Sequence, residues 1–219
     1  WEHALAALGD LLAGGIPSAA SGGSSTAEAN YAAAISACEK GHEWLRALQL
    51  LREAPNPGNV TYNAAISACE KRKQWRWAVA LLAEMREAEL QPDIVSFNAT
   101  ISACEQLRQW ERAVALLAEM EAEGLVADVV TCNSLLSAYE KASCWALSLA
   151  MLSSMERRAL QGDDISYNVA IAACERGRSW RCSLSLLSDM RGRRLHADAV
   201  GCAAATSACE HALRRAPVA

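Results

Sequence analysis

Two polar side chains recur in this sequence at a constant interval of 35 residues. An amide comes first and a carboxylate follows 30 residues later, giving Asn63, Asn98, Asn133 and Asn168, and then Asp93, Asp128, Asp163 and Asp198. An amide donates and accepts hydrogen bonds, whereas a carboxylate only accepts them. Asparagine is a mediocre helix former that prefers caps and turns. Four copies on an Ala-rich helix face therefore predict recognition of a hydrogen-bonding ligand.

The aspartates also have a purely structural interpretation. Each one directly precedes a segment with helical periodicity, and aspartate is a favourable N-cap whose negative charge suits a helix N-terminus. The sequence leaves both roles open, capping and recognition.

The interval of 35 residues is the length of a repeated unit. Residues 94–128 read IVSFNATISACEQLRQWERAVALLAEMEAEGLVAD, and close copies occupy 59–93, 129–163 and 164–198. A fixed period of this size predicts an array of helical repeats. Each unit is predicted to form two helices joined by a turn.

The segments on either side of the four full repeats resemble parts of the same 35-residue unit or interrupt it. Residues 28–58 form a short repeat that ends at PNPG, a strong helix stop. Residues 1–12 match the second helix of a truncated repeat, and 13–27 are predicted to be a flexible Gly/Ser-rich insertion. Residues 199–219 are predicted to be a terminal half repeat that caps the array. Because the chain starts at Trp1 inside a helical pattern, we expect it to be a fragment of a longer protein.

The apolar residues of each unit indicate which helix faces are buried. In the second helix, a stripe runs along one side through Trp110, Ala113, Val114, Leu117 and Met120. A tryptophan recurs at the start of this stripe, and we interpret it as a packing anchor. In the first helix, the residues spaced as Phe97, Ile101 and Cys104 are predicted to be core.

The other face of the first helix lacks a core pattern. It repeats an apolar residue, the asparagine, a small side chain and a cation, as in Val60, Asn63, Ser67 and Lys71. We interpret this face as the one that contacts the ligand.

Composition excludes several classes of function. No apolar run approaches the roughly 18 residues needed to cross a bilayer, so no membrane association is expected. A net charge of −4 argues against a generic nucleic-acid binder, although a local basic stripe remains compatible with it.

Nine cysteines raise the question of metal or disulfide sites. Five of them occupy the eleventh residue of a unit, and Tyr139 replaces cysteine in another, which indicates a packing position. Copies one repeat apart cannot converge on a single ion, and no C-x-x-C pair exists. We therefore expect buried thiols, no metal and no cofactor.

The units VTYNAAISACEK and WAVALLAEMREAELQPD resemble the pentatricopeptide repeat family in its 35-residue form. The resemblance implies an all-α fold, a right-handed superhelical α-solenoid of helix-turn-helix repeats. It also implies binding of single-stranded RNA with one base per repeat. The fifth and last residues of a unit then select the base, which gives the pairs Asn63 with Asp93, Asn98 with Asp128, Asn133 with Asp163, and Asn168 with Asp198. In the family, an Asn–Asp pair favours uracil over cytosine.

Two further sets of residues follow from the resemblance. The second residue of each unit would clamp a base between neighbouring repeats, as Val60, Val95, Val130, Ile165 and Val200. Cations near the end of the first helix would contact phosphates, as Lys71, Lys141 and Arg176. Gln106 replaces the cation in one repeat, which weakens that expectation there.

The resemblance predicts a non-catalytic protein that binds a U-rich tract and acts in organellar RNA processing, stability or translation. Mitochondrion or chloroplast is the expected location, a monomer the expected state, and other RNA-processing proteins the expected further partners. The chain contains no H-x-E motif with a downstream P-C-x-x-C, so no deaminase chemistry is expected. The alternative is a protein-binding scaffold resembling tetratricopeptide repeats, which the net charge of −4 favours.

Overall fold

The computed structural model describes residues 23–105, 109–196, 202–203 and 206–207. Within residues 23–196 of that description, the regular structure consists of ten α-helices, and no described residue forms a strand. The helices are α1 (Gly23–Lys40), α2 (Trp44–Glu53), α3 (Asn59–Lys71), α4 (Trp75–Glu87), α5 (Ile94–Glu105), α6 (Trp110–Ala122), α7 (Val129–Lys141), α8 (Trp145–Arg157), α9 (Asp164–Arg176) and α10 (Trp180–Gly192).

The first helices α5, α7 and α9 begin where an aspartate caps them, whereas the N-cap of α3 is Gly58, which makes no side-chain bond. At α9, the Ser166 backbone N–H donates to Asp163 Oδ1 at 2.8 Å, and the Asp163 N–H donates to Ser166 Oγ at 3.2 Å. Asp128 and Thr131 form the same reciprocal pair at α7. These bonds satisfy N–H groups that the helix itself leaves without acceptors. The capping role of the aspartates is therefore observed.

Most of the described helices end at a residue with left-handed backbone conformation, but α2 is followed by Ala54, whose backbone is extended. After α3, Lys73 has φ of 60°, its N–H donates to Glu70 O, and the Gln74 N–H donates to Cys69 O at 2.8 Å. This pair of bonds is the Schellman arrangement, which stops a helix while satisfying its last carbonyls. The next helix begins directly afterwards at Trp75, so the two helices of a repeat lie side by side.

The chain forms two compact units, Trp1–Ala103 and Cys104–Ala219. In the first unit, α1 packs against α2 and α3, and α3 packs against α4. In the second unit, α7 packs against α8 and α9, and α9 packs against α10. Helices α1 and α7 thus each contact their own second helix and the next first helix, and α3 and α9 each contact their own second helix. The predicted all-α repeat fold is confirmed.

Small and sulfur-containing side chains fill the core between the helices. The eleventh-position cysteines Cys38, Cys69, Cys104 and Cys174 are buried free thiols, and Tyr139 is buried at the same position. Burial raises the pKa of the thiol to about 12 in Cys69 and Cys174, and to about 11 in Cys104. These residues pack against neighbours and stay protonated at neutral pH.

The second helices bury a broader stripe than the sequence predicts. Ala113 and Met120 are fully buried as expected, but Leu116 is the buried leucine, whereas Leu117 is half-buried. The recurring tryptophan is also half-buried, as Trp110 shows. It covers the edge of the core and contacts the Tyr139 ring at a centroid distance of 6.1 Å.

Helix α1 begins at Gly23 and so extends five residues into the segment 13–27, which the sequence pattern assigns to a flexible insertion. The stretch SSTAEANYAAA that follows Gly23 is rich in Ala, the residue with the highest helix propensity, which favours the extension. The predicted truncated repeat 1–12 lies outside the described residues, as do 13–22 and most of 199–219. None of the described helices is both long and apolar enough to cross a membrane.

Candidate nucleic-acid interface

The asparagine on α3 is bonded directly to the aspartate that ends its repeat. Asn63 Nδ2 lies 3.2 Å from each carboxylate oxygen of Asp93, and both residues are half-buried. A carboxylate only accepts hydrogen bonds, so the amide must turn its nitrogen towards it. The pair that the family resemblance implies is therefore in contact here, and the carboxylate fixes which way the amide faces.

A serine hydroxyl from the next repeat completes the cluster. Ser96 Oγ lies 2.5 Å from Asn63 Oδ1 and 2.9 Å from Asp93 Oδ1. Since the hydroxyl has one proton and both atoms are acceptors, the shorter distance favours donation to the amide oxygen. Both ends of the Asn63 amide are thus held, the nitrogen by Asp93 and the oxygen by Ser96.

The second unit repeats this geometry between α7 and α9. Asn133 Nδ2 lies 3.1 and 3.3 Å from the two oxygens of Asp163, and Ser166 Oγ lies 2.5 Å from Asn133 Oδ1. Burial raises the pKa of Asp163, but hydrogen bonds from Ser166 and Asn133 outweigh that effect and lower it below its ordinary value. The carboxylate is therefore ionised at neutral pH and stays an acceptor.

The remaining two pairs are only partly described. Asn98 lies on α5 in the first unit, and Asp128 caps α7 in the second unit. Asn168 lies half-buried on α9, where its Oδ1 is buried without a hydrogen-bond partner among the described residues. Its predicted partner Asp198 lies outside the described residues, and so does residue 201, where the sequence has glycine in place of the serine or threonine of other repeats.

An exposed apolar side chain accompanies each asparagine, one turn earlier on the same helix. Val60, Val95, Val130 and Ile165 expose between 57% and 67% of their surface. Residues two and five of a repeat are three apart and so share one face of a helix. The four predicted clamping residues are thus available to a ligand that contacts the asparagines, whereas Val200 lies outside the described residues.

The three predicted phosphate-contacting cations form ion pairs. Lys71 Nζ lies 2.8 Å from Glu39, Lys141 Nζ 2.6 Å from Glu105, and Arg176 Nε 2.5 Å from Glu140. Each glutamate is the twelfth residue of the preceding repeat, and each cation is the thirteenth residue of its own. Gln106, the predicted exception, lies outside the described residues.

Sequence reasoning missed two groups at this face, the hydroxyl-bearing third residue and the twelfth-position glutamates. Both recur in the sequence, since the third residue is Thr61, Ser96, Thr131 and Ser166 in the four full repeats. That recurrence was a usable signal. Among the described residues, no group of three or more His, Cys, Asp or Glu is placed to hold a metal ion.

Comparison with known families gives matches along most of the described chain. A model of the PPR repeat family matches residues 57–106 and 92–137, a pentatricopeptide repeat domain model matches 115–177, and a PPR repeat model matches 165–195. The chain belongs to the pentatricopeptide repeat family.

Solved structures of pentatricopeptide repeat proteins share this fold. The maize protein PPR10 is 28% identical over 84% of this chain, with a TM-score of 0.69, and PPR10 in complex with an 18-nucleotide psaJ RNA element is 27% identical with a TM-score of 0.64. This chain spans about a quarter of PPR10, since it covers 27% and 26% of the two PPR10 chains. The PPR domain of Arabidopsis thaliana protein-only RNase P 1, solved with tRNA, has a TM-score of 0.71 over 84% of this chain and 99% of its own length. At 12% identity it supports the fold alone. A comparison with curated proteins found no match.

Proposed function

We propose that this pentatricopeptide repeat chain binds single-stranded RNA and that its Asn–Asp pairs select uracil, one base per repeat. The observation that carries this proposal is the amide held at both ends, which occurs at Asn63 and again at Asn133. Support also comes from PPR10, which is similar in sequence and has been solved with an RNA element.

Fixing the amide has a direct consequence for base selection. One N–H of the amide faces the carboxylate, which leaves one N–H and one oxygen lone pair for a ligand. Uracil presents an imino donor beside a carbonyl acceptor, and cytosine presents the opposite order, an acceptor beside an amino donor. An amide that cannot rotate distinguishes these two edges, whereas a rotating amide fits both. By the family's rule, the Asn–Asp pair corresponds to uracil.

The exposed apolar residue beside each asparagine supplies the second contact. Bases in single-stranded RNA can be splayed out of the stack, which exposes large flat faces that apolar side chains can cover. Val60 and Val130 lie on the same helix face as Asn63 and Asn133, and they are exposed. Four full repeats, taken in sequence order, would then select a U-rich tetranucleotide.

We further propose that the chain acts by covering RNA or recruiting other RNA-processing proteins, and that it has no catalytic step of its own. Organellar RNA processing, stability or translation in a mitochondrion or chloroplast is the proposed context, and a monomer the proposed state.

Fluorescence anisotropy with U-rich, C-rich and A-rich RNA decamers tests the proposal. We expect tightest binding to the U-rich decamer. An Asn63→Ala/Asn133→Ala variant should lose about 10-fold or more of that affinity, because each base contact contributes on the order of 1–3 kcal/mol. Asn59→Ala is the matched control, because the Asn59 amide bonds the Gln91 carbonyl instead of a carboxylate.

Circular dichroism should show equal helicity for the three proteins. Equal binding of the three decamers would refute the pairing rule while leaving RNA binding intact. No binding to any decamer at tens of micromolar protein would contradict RNA binding and favour the protein-scaffold alternative.

A further inference from the structure

The twelfth residue of each repeat is a glutamate that lies on the proposed RNA-binding face. The series is Glu39, Glu70, Glu105, Glu140 and Glu175. An α-helix turns about 100° per residue, so the twelfth residue lies about 20° from the fifth around the axis, and the thirteenth lies about 80° from the fifth on the other side. Nothing in the proposed base contacts requires an acid here, and a carboxylate near an RNA backbone repels phosphate.

The glutamates pair with cations across neighbouring repeats. Glu39 accepts from Lys71, Glu105 from Lys141, and Glu140 from Arg176, all within 2.8 Å. The three pairs have the same register, from the twelfth residue of one repeat to the thirteenth residue of the next. We call these six residues the glutamate–cation ladder.

The twelfth-position glutamate is also present next to a repeat without a predicted cation. Glu70 precedes the repeat whose thirteenth residue is Gln106, and the Ser102 hydroxyl donates to Glu70 Oε1 at 2.7 Å. The twelfth residue is thus a glutamate even where the thirteenth residue of the next repeat is not a lysine or arginine.

In each ladder pair, the glutamate is the less exposed partner. The glutamate side chains are 21%, 15% and 13% exposed, and the cations facing them are 39%, 29% and 48% exposed. A phosphate can therefore approach the cation, but the carboxylate remains beside it. A cation that binds a phosphate then exchanges one anionic partner for another, so few counterions are released. Counterion release is the source of sequence-independent affinity.

We propose that Glu39, Glu105 and Glu140 are specificity-determining residues, which neutralise the phosphate-facing cations so that affinity depends on base contacts. The proposal rests on the proposed RNA-binding function and adds a role for acids that the base-pairing rule does not include. It accounts for the coexistence of a nucleic-acid face with a net charge of −4.

The test compares the wild-type chain with an E39Q/E105Q/E140Q variant, using U-rich and A-rich decamers over about 50–200 mM KCl. Each freed cation should steepen the slope of log K against log salt by about 0.7, which gives about 2 for three cations. Binding of the A-rich decamer should strengthen on the order of 10-fold at the lowest salt. The ratio of U-rich to A-rich affinity should fall, because the added attraction ignores sequence.

A matched control neutralises three glutamates on the second helices and so removes the same amount of negative charge. Glu84, Glu121 and Glu156 pair with Arg52, Arg158 and Arg193, away from the asparagine face. E84Q/E121Q/E156Q changes the net charge equally, and we expect it to leave the salt slope and the affinity ratio unchanged.

The outcomes separate the inference from the function on which it rests. If wild type selects U-rich RNA but the ladder variant keeps the wild-type slope, or if both triple variants change it equally, the specificity role is overturned and RNA binding stands. If neither wild type nor the ladder variant binds any decamer, both proposals are rejected. Circular dichroism should show that all three proteins remain folded.

Discussion

One aspartate side chain serves two purposes in this protein. Asp163 accepts the Ser166 backbone N–H and so caps α9, and it also accepts from the Asn133 amide. A carboxylate has enough lone pairs for both. Capping and recognition therefore do not compete for the aspartate, since the cap fixes the carboxylate that orients the amide.

The serine hydroxyl is the least expected member of this cluster, and it supports a prediction. Ser166→Ala removes the donor to Asn133 Oδ1, so the amide oxygen is no longer held. We expect the preference for uracil over cytosine opposite this repeat to fall about 2- to 10-fold, the effect of one hydrogen bond worth roughly 0.5–1.5 kcal/mol. Anisotropy with RNAs that differ by one U-to-C change measures this ratio.

Ser166→Thr is the control for that experiment, because threonine keeps the hydroxyl and occupies the same position as Thr61 and Thr131. It should retain the wild-type ratio. Ser166→Ala also removes the hydroxyl that accepts the Asp163 N–H in the helix cap, and thermal melts would measure the resulting loss of stability. An unchanged U-to-C ratio in Ser166→Ala, with selectivity lost in Asn133→Ala, would show that the carboxylate alone orients the amide.

At the scale of the helices, close packing of tryptophan against a helix end supports a stability prediction. A Cβ added at Gly177 would lie 2.0 Å from Trp145 Cδ1 and 2.6 Å from its Cγ. These atoms are near the root of the indole, so the ring cannot move aside easily. We expect Gly177→Ala to lower the free energy of unfolding, measured with urea, by about 1–3 kcal/mol, because overpacking a core costs about this much.

Gly192→Ala is the matched substitution at another helix end. Its Cβ would meet no atom within 4 Å, and its φ is not positive. It should therefore leave stability unchanged or raise it slightly, since Ala has the higher helix propensity. Equal unfolding midpoints for the two variants would show that Trp145 does not pack on Gly177 in solution.

The helices were predictable because their period, caps and apolar stripes all repeat. The recurrence of Asn63 and of Asp93 once per repeat was visible in the sequence, and the family resemblance joined them as a pair. The Ser96 bond was not predicted, since it joins the third residue of one repeat to the fifth of the preceding repeat, and the period alone does not show such contacts. The ion pair between Glu39 and Lys71 was missed for the same reason.

At the scale of the whole chain, charge balance sets how RNA would be bound. A net charge of −4 gives no general attraction for a polyanion, and the ladder neutralises cations on the proposed binding face. Under the proposed function, affinity then comes from base contacts repeated once per unit. An array with more repeats would make more such contacts, so we expect affinity to rise with the length of the array.

The cysteines distributed along the chain allow its packing to be tested repeat by repeat. Burial raises the pKa of Cys69 and Cys174 to about 12, so the thiolate fraction at pH 8 is roughly 10⁻⁴. Only the thiolate reacts with iodoacetamide. Cys202 is exposed, and we expect mass spectrometry to find it alkylated first, under native conditions, among the cysteines that the structure describes.

Cys69, Cys104 and Cys174 should be labelled only as denaturant opens their repeats, and full denaturation should make all the cysteines react alike. Raising the pH towards the pKa of these thiols increases the thiolate fraction, but a closed core still excludes the reagent. Native labelling of Cys69 or Cys174 as fast as that of Cys202 would therefore show that these first helices are not packed as the structure has them. Because each repeat contacts only its neighbours, the order in which these thiols become reactive also reports which repeats open first.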